Sequence, residues 1–140
     1  MIANNNFNLL IICTANICRS PLGVVMFTRA WSDVASEVDV QFAVESAGTR
    51  AIPGKPQCAV SALNCNSMRE HLSRDIEELS LDHFDLILTM ERHQRGQVIA
   101  MKPAIRNRIF TLREAAHLAD FIVQPGVALD AATGQLDNAT

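Results

Sequence analysis

Apolar and polar positions follow two rhythms along this chain. Short runs rich in Leu, Ile, Val and Phe stand near residues 8 to 13, 38 to 46, 84 to 89 and 108 to 111, the length and character of buried strands. Between and after them, apolar residues recur at helical spacing over 20 to 31, roughly 56 to 66, 71 to 79, 91 to 101 and 111 to 119, which predicts five helices. Strands alternating with helices are the pattern of an α/β fold, a parallel sheet with helices on both faces. Thr111 stands just before an apolar-periodic run and Glu114 follows three residues on, so the last helix carries a capping box. Gly48, Pro53, Gly54 and Pro56 mark a loop.

The first apolar run, Leu9-Leu10-Ile11-Ile12, leads into Cys13-Thr14-Ala15-Asn16-Ile17-Cys18-Arg19-Ser20-Pro21. A strand ending at Ile12 delivers Cys13 to the carboxyl edge of a sheet. Pro21 suits the first turn of a helix, where its missing N–H is not needed. The backbone between them has to curl, and its N–H groups from Thr14 to Arg19, with the positive end of the following helix, would cradle an anion. Arg19 adds a planar fork able to hold two phosphate oxygens. The same positive field stabilises negative charge on the Cys13 sulfur, and Ser20 can donate a hydrogen bond to it. This stretch therefore predicts a phosphate-binding loop, Thr14, Ala15, Asn16, Ile17, Cys18, Arg19 and Ser20, built around the nucleophile Cys13. Ligands in open sheets of this kind sit at the carboxyl edge, where this loop lies.

Strand-Cys-x5-Arg-Ser-Pro at the start of a chain, with Asn16 and Cys18 inside it, resembles the low molecular weight protein tyrosine phosphatase family. Ser46-Ala47-Gly48 is similar to the segment after the family's second strand, and Phe84 to Glu91 to its third strand and the acidic residue beyond. The likeness runs from about residue 8 to residue 119. It implies a three-layer sandwich with a four-stranded parallel sheet in the order 2-1-3-4, helices on both faces and the phosphate loop after strand 1. It also implies catalysis by Cys13 and Arg19, and loop support from Asn16, Ser20, Ser46 and His71. Cys18, as the loop's second cysteine, would be a redox guard that bonds the nucleophile and masks it from irreversible oxidation.

Two features depart from that pattern inside the motifs: Ala15 stands where Gly is frequent, and Val25 where Glu is. A third lies in the tail. The family's general acid is an Asp in an Asp-Pro segment, and no Asp-Pro occurs here. Of Asp120, Asp130 and Asp137, Asp130 lies about where the resemblance puts the acid, in a segment 120 to 140 that reads as a shortened or flexible tail.

The 140 residues form a single domain, 49% hydrophobic and 19% charged. A net charge of -3 argues against a nucleic-acid partner. The run Phe7 to Ile12 is too short to span a membrane, and Asn4-Asn5-Asn6 is not the basic start of a signal peptide, which predicts a cytoplasmic protein with no membrane partner. Four cysteines in such a setting favour reduced thiols, and their spacings are not those of a zinc site, so neither metal nor cofactor is expected. The expected partner is a phosphorylated protein or a small phosphate ester, with inorganic phosphate or sulfate as a site ligand. No aromatic residue lies around Arg50-Ala51-Ile52 to stack on a phosphotyrosyl ring.

Two alternatives to a cysteine-dependent phosphatase stay open on the sequence. One is a phosphate-binding or regulatory homologue with little activity, since the Asp-Pro segment is missing. The other is an arsenate reductase using Cys58-x6-Cys65 as a shuttle, although Met90 and Glu91 occupy the place where such a pair starts.

Overall fold

The computed structural model describes residues 5–58, 71–122, 127–129 and 136–138. Strands β1 (Asn6–Cys13), β2 (Gln41–Gly48), β3 (Leu86–Thr89) and β4 (Ile109–Thr111) form one sheet in the order β2-β1-β3-β4, all pairs parallel. The β1–β2 register runs the full length of β1, from Asn6 opposite Gln41 to Cys13 opposite Gly48. Chain order reverses beside β1, so the switch point of the sheet falls at the carboxyl end of β1 and β3.

Parallel strands need covered crossovers, and the helices supply the cover. Helix α1 (Arg19–Val34) joins β1 to β2 and α2 (Arg92–Met101) joins β3 to β4, while α3 (Leu112–Ile122) follows β4. The alternation of β1 sorts its side chains between two cores. Leu10 and Ile12 pack with Ala47, Ile87, Ile109, Phe84, Ile76 and Val98 of α2 on one face. Leu9 and Ile11 pack with Leu88 on the other, against Val24 and Phe27 of α1 and Ala115 of α3. Leu10, Ile11 and Ile12 are fully buried, as a central parallel strand requires. Trp31 and Phe42 stack at 5.0 Å, fixing the end of α1 on β2. No helix among the described residues is long and apolar enough to cross a membrane.

The four-stranded order and the two-sided cover agree with the sequence expectation, and α1, α2 and α3 fall where periodicity puts them. Residues 71–79 do not. This stretch is extended, with Leu72 bridged to Pro56 and Asp75 to Gly48, and it holds one 3-10 turn, Ile76–Glu78. The turn is capped by Asp75 and Glu78 in a reciprocal box, and Gly48 donates its N–H to the Arg74 carbonyl at 2.9 Å. Backbone pairing to distant segments overrides a weak local periodicity. Of the helix expected over 56 to 66, residues 56–58 are not helical and the remainder lies outside the described residues. Strands β5 (Val127–Leu129) and β6 (Leu136–Asn138) pair antiparallel, within the segment expected to be a tail.

Candidate active site

Cys13 ends β1 with its side chain 3% exposed, and α1 begins six residues later at Arg19. The segment between them turns its carbonyls outward. Those of Cys13, Thr14, Ile17 and Cys18 accept from the peptide N–H groups of Thr49 (3.0 Å), Arg50 (3.0 Å), Cys58 (2.7 Å) and Leu22 (3.3 Å). The Asn16 carbonyl accepts from His71 Nε2 at 2.6 Å, which fixes the proton of that imidazole on Nε2. In a planar trans peptide the N–H points opposite the preceding carbonyl. The N–H groups of Thr14, Ala15, Ile17, Cys18 and Arg19 are therefore directed to the other side, as an anion cradle demands. Asn16 N–H itself reaches Cys13 Sγ at 3.3 Å.

Asn16 holds the curl together from within. It is fully buried and takes a left-handed backbone, φ 61°, which Asn tolerates better than most residues. Its Oδ1 accepts from the Arg74 N–H at 2.9 Å, so its amide nitrogen donates to both neighbouring hydroxyls, Ser20 Oγ and Ser46 Oγ, each at 2.9 Å. With its oxygen accepting from Asn16, Ser20 can turn its proton to Cys13 Sγ, 2.9 Å away. Ala15, which stands where the family resemblance puts Gly, does not take a positive φ; the left-handed residue is its neighbour Asn16. Gly48 is where glycine is required: a Cβ there would stand 2.3 Å from the Thr14 carbonyl oxygen.

Arg19 lies in the first turn of α1, its Nη1 2.5 Å from Glu91 Oε1. Glu91 also meets His93 Nδ1 at 3.0 Å. The hydrogen bond from Arg19 holds the Glu91 carboxyl below the usual carboxylate range, against a smaller opposing effect of desolvation. A cleft of about 200 Å³ beside the loop is lined by Thr14, Thr49, Arg50, His93 and Gln97.

Two contributors escaped the sequence, and a third, Cys58, enters there only as a partner of Cys65. Gln94, fully buried on α2, donates to Thr14 Oγ1 at 3.0 Å while its oxygen accepts from the N–H groups of Met90 and Glu91. Arg74 donates from Nε to the Ser46 carbonyl and from Nη2 to Glu45, both within 2.9 Å, bracing the strand that carries Ser46. Cys58 forms a disulfide with Cys18. That pairing corrects two expectations: Cys18 and Cys58 are joined in this structure where reduced thiols were expected, and the partner of Cys18 is Cys58 while Cys13 is free. The cause is the fold of segment 49–58, which returns over the loop and brings Cys58 to Ile17. Cys65 and Asp130 lie outside the described residues, and Asp120 is exposed on α3.

Residues 8–121 match the family model described as low molecular weight phosphotyrosine protein phosphatase. The chain is 32% identical over 106 residues to the low molecular weight protein-tyrosine-phosphatase Wzb of Escherichia coli K12, covering 73% of this chain and 67% of that one. It is also 32% identical over 111 residues to a protein-arginine-phosphatase of Bacillus subtilis, covering 76% and 71%. Among solved structures, a low molecular weight protein tyrosine phosphatase from Bacillus subtilis superposes with a TM-score of 0.65 at 27% identity, over 77% of this chain and 71% of that one. One from T. tengcongensis shares the fold with a TM-score of 0.68 at 22% identity, over 92% and 84%. The match over most of the chain and the shared four-stranded parallel fold place it in a known lineage: the chain belongs to the low molecular weight phosphotyrosine protein phosphatase family.

Proposed function

We infer that this chain is a cysteine-dependent phosphatase acting on phosphate monoesters, protein phosphotyrosine or a small aryl phosphate, through a thiophosphoryl-cysteine intermediate. The observation that carries this inference is Cys13 Sγ within 2.9 Å of Ser20 Oγ, at the base of a loop whose carbonyls face away from it. Sulfur attacks phosphorus, the phosphorus–oxygen bond to the leaving group breaks, and the loop amides with Arg19 stabilise the equatorial oxygens. Water then attacks phosphorus, sulfur departs with the Ser20 hydroxyl beside it, and inorganic phosphate leaves. We assign protonation of the leaving oxygen to Asp130, on the position the family resemblance gives it.

The cleft beside the loop carries Arg50 and the Thr49 hydroxyl, whose oxygen is buried without a partner among the described residues, and no Phe or Trp of the described residues lines it. A neutral leaving group with a hydrogen-bonding edge suits such a wall better than the guanidinium of a phosphoarginine, which Arg50 would repel. Turnover of p-nitrophenyl phosphate by the wild type against Cys13→Ser is the test. A loss of roughly 10⁴-fold or more is expected from removing the nucleophile, and equal rates would sink the proposal. Asp130→Ala should slow an ester with a poor leaving group by about 10² to 10⁴ and p-nitrophenyl phosphate much less. A rate indifferent to Asp130 on both esters would remove it as the acid.

A further inference from the structure

The disulfide between Cys18 and Cys58 closes 40 positions of sequence with its Cα atoms 5.3 Å apart, a separation ordinary for such a bond. The Cys58 N–H donates to the Ile17 carbonyl at 2.7 Å, so bridge and hydrogen bond grip neighbouring residues of the phosphate loop from outside. Cys18 lies on an exposed stretch, whereas Cys13 is 3% exposed and hydrogen-bonded at its sulfur to Ser20 and Asn16. The two sets of thiols differ in access: a bulky oxidant meets Cys18 at the surface, and the walls of the loop stand between it and Cys13.

We propose that Cys18 and Cys58 form a thiol–disulfide exchange site for small-molecule disulfides of the glutathione class, whose oxidation staples segment 49–58 to the phosphate loop and leaves Cys13 as a free nucleophile. The Cys18 thiolate attacks one sulfur of the small disulfide, breaking its sulfur–sulfur bond and releasing one glutathione thiolate. The Cys58 thiolate then attacks the Cys18 sulfur of the mixed disulfide and releases the second. Two protein thiols are oxidised, one small disulfide is reduced to two thiols, and the protons lost by the cysteines are taken up by the released thiolates. Excess glutathione reverses both steps. The oxidised chain keeps the loop carbonyls of Cys13, Thr14, Asn16 and Ile17 on their partners, so its cradle is the one described above.

The pairing stands on geometry alone; its consequence for turnover rests on the phosphatase reading. The test equilibrates the full chain in glutathione buffers of rising disulfide fraction, quenches it with acid, alkylates it after unfolding and maps the peptides, with p-nitrophenyl phosphate turnover measured in parallel. The expected result is one linked pair, Cys18 with Cys58, Cys13 alkylated throughout, and an unchanged rate. Cys58→Ser should form no linked pair and stop at a glutathione adduct on Cys18. A bridge to Cys13 or Cys65, a glutathione adduct on Cys13 at ratios that leave Cys18 free, or a rate that falls in step with bridge formation would overturn the proposal. Should the reduced protein fail to turn over the ester, the phosphatase reading falls while the peptide map still decides the pairing.

Discussion

The phosphate loop and helix α3 both follow directly on a strand of the same sheet, yet they are held in opposite ways. The carbonyls of Cys13, Thr14, Asn16 and Ile17 are each tied to another segment, to β2's extension at Thr49 and Arg50, the strand-like stretch at His71, and Cys58, while that of Cys18 enters the first turn of α1 at Leu22. Helix α3 is fixed at its first turn, by Thr111 and Glu114, and rests on the sheet through Ala115; Leu118, Phe121 and Ile122 are 44%, 43% and 38% exposed. A segment that must hold an anion in one geometry is over-determined by polar contacts from several elements. One that only covers a sheet needs a cap and a little burial. The difference predicts where a single change does most damage.

The largest effect is expected at Gly48, which belongs to β2 and touches no substrate. An added methyl would stand 2.3 Å from the Thr14 carbonyl oxygen and 3.0 Å from Ala51 Cβ, and the first of these is backbone that cannot swing aside. Gly48→Ala should lower kcat for p-nitrophenyl phosphate by more than about 100-fold, about 2.7 kcal/mol of barrier, and lower unfolding stability by roughly 1–3 kcal/mol. Leu118→Ser on α3 should change stability by no more than about 0.5 kcal/mol. Urea melts of the two variants side by side make the comparison, and similar losses would erase the contrast between loop and helix.

A smaller effect is expected at Glu91, where the loop meets α2. Its carboxylate holds one nitrogen of Arg19, leaving the other donors of the fork for a ligand. Glu91→Gln removes the charge but keeps the shape, so the guanidinium loses its anchor while the cradle stays. Turnover should fall by about tenfold, with little change in thermal stability. The Glu91 carboxyl titrates below its ordinary 4.5, chiefly through the Arg19 hydrogen bond, so the pair is complete above that pH and opens only as the pH falls through the lowered value. The wild-type rate should lose this contribution only on the acid side, and the variant's profile should lack that step. A variant as fast as the wild type would mean that Arg19 is placed by the loop alone.

The same contrast governs what could be read from sequence. Strand β1, the curl from Cys13 to Pro21 and the Thr111–Glu114 box are local patterns, and each appears in the structure at its expected place. Gln94 and Arg74 act on residues 80 and 58 positions away, and Cys58 on one 40 away, with nothing in their own neighbourhood to mark them. The stretch 71–79, whose periodicity predicts a helix, is extended for that reason: its partners are Asn16, Gly48 and Pro56. One local signal does mark the observed turn: Asp75-x-x-Glu78 is itself a capping box, and it starts a turn at Ile76.

The smallest effect is expected at the cap that fixes the start of α3. Thr111 Oγ1 accepts the Glu114 N–H and the Glu114 carboxylate accepts the Thr111 N–H, both at 3.1 Å, so each satisfies a group the helix start would leave bare. Thr111→Ala should cost about 1 kcal/mol of stability. The Thr111 backbone and then its side chain hold the Glu114 carboxyl below its ordinary 4.5. A depressed carboxyl stabilises the fold above its unfolded value, and that contribution fades as the pH falls through the folded one. Stability of Glu114→Gln should therefore fall short of the wild type near neutral pH and converge with it in acid, measured by urea melts at a series of pH values. Turnover of p-nitrophenyl phosphate should be unchanged in both variants, because among the described residues the cap bonds to itself and to Arg95 and not to the loop. A fall in rate alongside stability would show that α3 reaches the active site through β4, and the two regions would no longer be independent.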